Sequence, residues 1–577
     1  MYSVIVWTLL LIVEVAFATP SKANSTFFNP ILPGWHSDPS CVFVPEEDHT
    51  FFCLTSTFLV TPGIPIYASK DLVNWKLASH AFNRRSQFPR MNESSDQNDG
   101  IFAVTLRYHE GVFYAITVYS YRTGEGIFGL IFNTTDPYSN DAWSEPVAYD
   151  ASGIDPDLFW HNNGKVYMAS SGTILQTIDL STGVVSAPVS IWNGTGGAYP
   201  EGPHIYHKDD YYYLMIGEGG TETNHSETIA RSRNIDGPYE SYEGNPILTA
   251  RRTTNYFQTV GHADLFQDGN ENWWAVALST RSGPEWANYP MGRETVLTPV
   301  TWKEGEWPVV DSVHGEQRGW PLPKPNKKIG GSGPFLGDPD VVDFEPGSKL
   351  PAHFVTWRWP QDGTFAVSPP GHPNSLRLKP SKTVTPTDED PLAGANGLSL
   401  LMRVQTDTLF TYTVDLSFNP KVLDEEAGVT IFLTQRQHLD LGVVMLPSSN
   451  NSLKLEPKLR FRTTGAGTTV GSLPQPVVKS IPEPWLKHPI TLQIQAKNDT
   501  HYTFSVASIR DRGTTHVIGV APATIVSGGT GPFTGSLVGV YATSNNGSGT
   551  TESYISRWRY TGDGQKIDYN RIVESKK

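Results

Sequence analysis

The sequence predicts an all-β protein in which a five-bladed β-propeller is followed by a β-sandwich. The 577 residues exceed one ordinary domain, so two domains are expected. Glycine (52) and proline (44) are abundant, and no long Ala/Leu/Glu/Lys segment indicates a helix. The first 315 residues contain five copies of one hairpin pattern, and the rest alternates apolar and polar residues with a period of two.

Residues 1–18, MYSVIVWTLLLIVEVAFA, predict a secretory signal peptide that ends in the small-x-small pattern Ala16-Phe17-Ala18. No Lys or Arg precedes the apolar run, and Glu14 interrupts it. A transmembrane anchor is the alternative, but the run is shorter than the roughly 20 apolar residues of a span. Eight N-x-[ST] sequons fit a glycosylated, secreted, extracellular protein. The sequons begin at Asn24, Asn92, Asn133, Asn193, Asn224, Asn450, Asn498 and Asn546.

Composition also restricts the partners. The formal net charge of −14 argues against a nucleic acid or an anionic membrane, because both require a basic face. With 38% hydrophobic and 18% charged residues, the chain is typical of a folded globular protein rather than a disordered one.

The two cysteines, Cys41 and Cys53, flank a turn centred on Glu47. An antiparallel hairpin around this turn would place them opposite each other on one face. A disulfide, worth ~3 kcal/mol for so short a loop, fits an exported protein. Two buried free thiols are the alternative.

The five repeats predict the propeller, over residues 27–320. Each unit runs from a short polar segment into an aliphatic strand, turns at Asn, Asp or Gly, and returns as an aromatic strand. Further strand-like segments follow, and four strands in each of five units predict five blades, with an ordinary sandwich as the alternative. The copies are SDPSCVFVPEEDHTFFCLTS, GIFAVTLRYHEGVFYAITV, GIDPDLFWHNNGKVYMASS, PEGPHIYHKDDYYYLMIGE and GHADLFQDGNENWWAVALS.

The phase of the repeats predicts a site at the mouth of the central channel. The first strand of each blade lines the axis, so residues at one end of those strands converge. Units one, three, four and five carry Asp38, Asp155, Glu201 and His262 there, and unit two carries Phe102.

After the repeats, residues 321–340 are rich in proline and glycine and are interpreted as a linker. Residues 341–577 then alternate with a period of two in segments such as LFTYTVDLSF and GSLVGVYATS, which predicts an antiparallel β-sandwich. This part has no comparable acid cluster, and we expect it to support the propeller rather than to react.

Converging carboxylates in different surroundings are the groups that hydrolyse a glycosidic bond, with one protonated and one ionised. No Ser/His/Asp triad, phosphate loop or zinc motif competes with this interpretation. Asp38 alone could be a turn residue. Asp157 follows Pro156 and alternates onto the same side as Asp155, so spacing does not choose between them.

Several motifs resemble fungal members of glycoside hydrolase family 43: NPILPGWHSDPS, TSTFLVTPGIPIYASKDLVNW, GIDPDLFW, PEGPHIY and MGRETVLTPVTW. The segment from VDFEPGSKLPAHF to SLVGVYATSNN resembles the concanavalin-like jelly roll at the C-terminus of the β-xylosidase branch. The resemblance implies a five-bladed propeller that acts on arabinoxylan and inverts anomeric configuration. It makes Asp38 the general base, Glu201 the general acid, and Asp155 the group that modulates the pKa of the acid.

The resemblance also suggests binding residues. Arg293 in GRE would contact substrate hydroxyls, and Phe58 and Phe102 would form walls of the subsite for the terminal sugar. No cofactor is required, but His262 would hold a hydrated cation, calcium or another, in the channel. The plainer alternatives are a core histidine for His262 and blade packing for the two phenylalanines.

Two further acids near the fourth blade, Glu218 and Glu222, are interpreted as structural or supporting. The similarity is greatest to fungal enzymes that remove terminal α-L-arabinofuranosyl residues from arabinoxylan, a plant cell-wall polysaccharide. The alternatives are a β-D-xylosidase on xylo-oligosaccharides, an enzyme with both activities, and a non-catalytic carbohydrate-binding protein.

Overall fold

The computed structural model describes residues 24–122, 124, 126–382, 397–449, 453–465, 473–528 and 533–575. The predicted signal peptide and the sequon at Asn450 lie outside them. No helix in these ranges is long and apolar enough to cross a membrane. The helices described are short 3-10 turns at Pro45–Glu47, Arg85–Gln87, Pro89–Glu93, Asn140–Ala142, Glu483–Trp485 and Ala523–Val526.

Five antiparallel sheets form the blades, as the repeats predicted. Strand β1 (Ser25–Phe28) precedes them. Blade 1 contains β2 (Ser40–Val44), β3 (Thr50–Leu54), β5 (Gly63–Ser69) and β6 (Lys76–Phe82), and the short β4 (Val60–Thr61) lies outside this sheet. Blade 2 contains β7 (Gly100–Ile101), β8 (Thr105–His109), β9 (Val112–Tyr121), β10 (Gly126–Thr134) and β11 (Val147–Tyr149).

The other blades follow the same order from the axis outwards. Blade 3 contains β12 (Asp157–Trp160), β13 (Val166–Ser170), β14 (Ile174–Ile178) and β15 (Val189–Ser190). Blade 4 contains β16 (Glu201–Lys208), β17 (Tyr211–Glu218), β18 (Ser226–Ser232), β19 (Glu240–Ser241) and β20 (Leu248–Thr249). Blade 5 contains β21 (Phe257–Gln267), β22 (Trp273–Arg281), β23 (Glu294–Thr301) and β24 (Val309–Val310).

The innermost strands close into a ring around the axis. Strand β2 contacts β8 and β21, β12 contacts β8 and β16, and β16 contacts β21. The chain ends of the propeller are joined because β1 pairs with β25 (Glu316–Gly319). Aromatic residues pack across each blade junction. These ring pairs are Phe51–Phe266, Phe52–Phe113, His109–Trp160, Phe159–Tyr212 and Tyr213–Trp302.

The predicted cysteine hairpin is present in blade 1. Cys41 on β2 lies directly opposite Cys53 on β3, with 4.2 Å between their Cα atoms, and the two form a disulfide. The disulfide therefore ties together the strand that begins next to Asp38 and its neighbour.

The C-terminal part is a sandwich of two antiparallel sheets around one apolar core. The larger sheet contains β26 (Asp340–Val342), β28 (Phe365–Val367), β29 (Leu376–Leu378), β31 (Leu409–Ser417), β36 (Ile490–Ala496), β37 (His501–Ser508), β38 (Asp511–Pro522), β40 (Ser553–Asp568) and β41 (Arg571–Val573). The smaller sheet contains β30 (Leu400–Val404), β32 (Glu426–Thr434), β33 (Gln437–Pro447), β34 (Leu455–Gly465), β35 (Val477–Ser480) and β39 (Leu537–Thr543).

The sandwich is attached to blade 1 by backbone hydrogen bonds. Strand β27 (Thr356–Trp357) pairs with β4 of the propeller. The segment interpreted as a linker runs along β6, where Leu77 N–H donates to Pro334 O (3.0 Å) and Gly333 N–H donates to Leu77 O (3.1 Å). The two parts are thus held in a defined orientation, which brings a loop of the sandwich to the channel mouth.

Candidate active site

The structure brings the predicted acids together at one end of the innermost strands. Asp38 and Asp155 each precede a proline at the head of such a strand, and both have left-handed backbone, with φ of 51° and 57°. Asp tolerates this conformation better than most residues. Repeats one and three therefore share an Asp-Pro turn that directs a carboxylate into the channel.

Asp38 is 5% exposed and is surrounded by groups that favour its ionised form. Ser56 Oγ donates to Asp38 Oδ2 at 2.6 Å, and His262 Nδ1 and Arg293 Nη1 each lie 3.7 Å from Asp38 Oδ1. Burial opposes ionisation, but His262, Arg293 and the serine outweigh it, so the pKa of Asp38 lies below its ordinary value. Burial lowers the pKa of His262 to about 4, so near neutral pH Arg293 supplies the positive charge.

Glu201 and Asp155 form a pair with the opposite tendency. Burial raises the pKa of Glu201 to about 7, against the opposing charge of Arg293. Burial, then the carboxylates of Glu201 and Asp38, raise the pKa of Asp155 well above its ordinary value. Gly202 N–H donates to Asp155 Oδ2 at 3.1 Å, whereas no donor in the described chain hydrogen-bonds the Glu201 carboxyl. A hydrogen-bond donor stabilises the ionised form of a carboxyl group. When the pair holds a single proton, that proton is therefore more stable on Glu201 than on Asp155.

The structure distinguishes Asp155 from Asp157, two acids between which the spacing in the sequence could not choose. Asp157 belongs to a network inside the channel, where Arg107 lies 2.8 Å from both Asp157 and Asp264. His204 Nδ1 lies 3.3 Å from Asp157, and Ser40 donates to Asp264 at 2.6 Å. Asp157 is therefore neutralised by an arginine and joins blades, whereas Asp155 lies beside Glu201.

His262 lies on the axis within a bulged part of β21, with φ of 49°. A methyl group at Gly202, whose φ is 55°, would lie 3.2 Å from the His262 ring, so glycine allows this close approach. Within the described residues, no group of three or more His, Cys, Asp or Glu side chains is arranged to hold a metal ion. The described residues thus offer no direct ligand cage, and the hydrated cation at His262 stays a prediction.

Aromatic rings form one wall of the site. Phe58, which is 3% exposed, contacts Phe102, with 5.1 Å between ring centroids. Phe533, from a loop of the sandwich, completes the wall: its centroid lies 6.2 Å from that of Phe58 and 4.5 Å from the Arg293 guanidinium carbon. Arg122 lies over the same ring at 5.4 Å.

Phe533 and Ser56 are site residues that the sequence analysis missed. Phe533 lies outside the propeller repeat, and its position depends on how the two domains dock. Ser56 follows the second strand of unit one, and only the fold shows that its hydroxyl reaches Asp38.

The two acids of the fourth blade have different surroundings. The Glu218 carboxylate accepts from Thr195 N–H (3.0 Å), Gly197 N–H (3.0 Å) and the Thr228 hydroxyl (2.6 Å), as a structural acid should. Glu222 lines a cavity beside Arg293, and its charge contributes to the raised pKa of Glu201. Glu222 is therefore close to the reactive groups rather than only structural.

The site thus combines a carboxylate held ionised with a carboxyl held protonated, and Arg293 acts on both. This difference in pKa allows one group to activate water while the other protonates a departing glycosidic oxygen. The chemistry is that of a glycoside hydrolase on a five-bladed propeller.

Comparison with known proteins defines the family. The chain matches the model for glycosyl hydrolases family 43 over residues 27–308, and the model for the beta xylosidase C-terminal concanavalin A-like domain over residues 341–561. The protein therefore belongs to glycosyl hydrolases family 43, and the resemblance seen in the sequence is confirmed.

Its relatives include both activities considered above. It is 33% identical over 560 residues to the non-reducing end alpha-L-arabinofuranosidase BoGH43B of Bacteroides ovatus, covering 95% of this chain and 97% of that one. It is 30% identical over 550 residues to a beta-xylosidase of Bacillus subtilis, covering 90% and 97%. The solved structure of Bacteroides ovatus xyloglucan PUL GH43B has a TM-score of 0.79 and 32% identity, covering 93% and 100%.

Proposed function

We propose that this glycoside hydrolase is a secreted, exo-acting, inverting enzyme that removes terminal α-L-arabinofuranosyl residues from arabinoxylan. The observation that carries the mechanism is the opposite shift of the two acids: the pKa of Asp38 is lowered and that of Glu201 is raised to about 7. Between these two pKa values, Asp38 is ionised and Glu201 is protonated, as base and acid catalysis require.

In this mechanism Asp38 accepts a proton from a water molecule that attacks the anomeric carbon, and Glu201 donates its proton to the glycosidic oxygen. Asp155 and Glu201 share a proton as a coupled pair, and the Gly202 N–H bond to Asp155 favours Glu201 as its holder until the leaving group takes it. Arg293 binds sugar hydroxyls next to Asp38. Phe58, Phe102 and Phe533 form a compact apolar wall that fits one terminal sugar.

Arabinofuranose is favoured by the arabinofuranosidase named among the relatives, which matches nearly the whole chain. A β-D-xylosidase, alone or as a second activity, is the other candidate, supported by the C-terminal domain type and by the Bacillus subtilis relative. Terminal arabinofuranose and xylose present similar hydroxyl patterns, so one pocket can accept either.

Secretion is proposed from the signal-like residues 1–18 and the sequons, of which Asn24, Asn193, Asn224, Asn498 and Asn546 are exposed. A hydrated cation at His262 is proposed on the family resemblance, and no catalytic step above depends on it.

Product analysis tests the substrate. The purified protein is incubated with wheat arabinoxylan and, separately, with xylobiose, and the released pentoses are separated by anion-exchange chromatography. Arabinose from the polymer alone supports the proposal, and xylose from xylobiose alone supports the β-xylosidase. Release of both sugars shows a dual activity, and release of neither refutes both candidates.

A further inference from the structure

Tyr199 is an aromatic residue on the surface beside the catalytic acid. Tyr199 is 74% exposed, the largest exposed fraction of any Phe, Trp or Tyr in the described chain. It precedes Glu201 by two residues, and its φ of 51° places a bulky residue in the left-handed region. Such strain persists only where surrounding structure imposes it, and it concentrates at functional sites.

The loop that presents Tyr199 is rigidly held. Glu218 accepts hydrogen bonds from Thr195 and Gly197, and Gly219 N–H donates to Ala198 O at 2.8 Å. Thr195, Gly197 and Ala198, which precede Tyr199, are thus tied to the end of β17 and to the residue that follows it. An exposed ring on a fixed loop loses little conformational entropy on binding, which is how a preorganised recognition surface works.

Tyr199 is also close to Glu222. A methyl group built on Gly220 would lie 3.6 Å from the Tyr199 ring and 3.0 Å from Glu222 Oε2, so the ring and the carboxylate flank the same point. No donor in the described chain hydrogen-bonds this carboxylate. An aromatic face beside a free acceptor is a typical sugar-binding pair.

The surface continues from Glu222 towards the catalytic groups. Glu222, Trp286, Arg293 and Phe533 line one small cavity. Trp286 stacks on Tyr289, with 5.2 Å between ring centroids and 8° between planes, and its buried Nε1 has no hydrogen-bond partner. The Glu222 carboxylate is thus the acceptor that this surface offers to a sugar.

The position of Glu201 indicates which sugar unit of the substrate would bind at this surface. The acid protonates the glycosidic oxygen of the leaving group, so the leaving sugar lies on the Glu201 side of the broken bond. Removing arabinose from a xylan chain, or xylose from a xylo-oligosaccharide, leaves the same unit on this side, a xylopyranosyl ring. The occupant is therefore the same for both candidate activities.

We propose that Tyr199 is the stacking platform for the xylopyranosyl ring of the leaving group, with Glu222 accepting from its hydroxyls. This inference rests on the proposed function, because it takes Glu201 as the acid. Tyr199 thereby determines specificity for the part of the substrate that the catalytic pocket does not enclose.

The test compares Tyr199→Ala with Tyr199→Phe on two substrates with the same terminal sugar. One is an oligosaccharide with a xylosyl leaving group, and the other is the corresponding methyl glycoside. Tyr199→Ala should lower kcat/KM on the oligosaccharide by about three- to tenfold, the range expected for one lost stacking contact. The methyl glycoside should change by less than about twofold, and Tyr199→Phe should behave as the unsubstituted protein on both. Equal losses on both substrates, or no loss, overturn the inference.

A binding measurement keeps this inference separable from the proposed function. Xylobiose is titrated calorimetrically into Glu201→Gln, with and without Tyr199→Ala, so that no turnover is needed. Weaker binding with Tyr199→Ala supports the platform even if the natural substrate differs from arabinoxylan. Unchanged affinity overturns the platform even if the enzyme proves to be an arabinofuranosidase. Val309→Ala, which alters an exposed apolar residue of blade 5, is the control for nonspecific effects.

Discussion

Removal of the Ser56 hydroxyl tests how the base is kept ionised. Ser56 is 1% exposed and donates to Asp38 at 2.6 Å, so Ser56→Ala deletes one hydrogen bond to a buried carboxylate. A hydrogen bond to a charged group contributes about 1.5–3 kcal/mol. One pKa unit corresponds to about 1.4 kcal/mol, so the pKa of Asp38 should rise by roughly one to two units.

The assay is the pH dependence of kcat/KM. A base must be ionised, so activity rises with pH through the pKa of Asp38, and in Ser56→Ala this acid limb should move to higher pH by the same one to two units. Above the shifted limb, activity should remain near that of the unsubstituted enzyme. Ser56→Thr, which keeps the hydroxyl, is the matched control. An unmoved acid limb in a correctly folded Ser56→Ala protein would refute this account of Asp38.

Three further predictions concern acids of the propeller. Glu201→Gln should slow hydrolysis of natural glycosides by about 10²–10⁴-fold, and it should slow hydrolysis of aryl glycosides with good leaving groups less. Equal losses on the two kinds of substrate would argue against Glu201 as the acid. Asp155→Asn should move the alkaline limb of the pH–rate profile to lower pH, because loss of a neighbouring negative charge favours ionisation of Glu201; an unchanged limb would exclude Asp155 as modulator. Glu227 is fully buried, and burial raises its pKa from 4.5 to about 8. Its proton therefore stabilises the folded state fully below pH 4.5, and this contribution is lost as the pH rises to 8. The loss is up to roughly 5 kcal/mol, and Glu227→Gln should remove it from the pH dependence of Tm measured by calorimetry; identical pH dependences would contradict the assignment.

The propeller and the positions of its acids could be predicted because the sequence patterns that specify them are local and recur along the chain. Each blade carries its own hairpin signal, and the Asp-Pro doublets of repeats one and three place Asp38 and Asp155 at equivalent points. The pairing of Cys41 with Cys53 follows from the register of a single hairpin.

Other features depend on contacts between distant segments. Phe533 reaches the site only because β27 pairs with β4 and the segment around Pro334 binds β6. The distinction between Asp155 and Asp157 depends on Arg107, which comes from another blade. Strand periodicity places residues on a face but does not state which partner lies opposite in a neighbouring sheet.

The central claim is that Asp38 activates water directly and does not form a bond to the sugar. A general base and acid that leave room for water should have carboxyl groups roughly 6.5–9.5 Å apart, compared with about 5 Å in a retaining pair. Proton NMR of the first-formed sugar, recorded before mutarotation, measures the anomeric configuration of the product directly. Hydrolysis of an α-L-arabinofuranoside should first yield β-L-arabinofuranose; if only β-D-xylosides are cleaved, α-D-xylose should appear first. A first product with the configuration of its substrate would contradict the assignment of Asp38 as the general base.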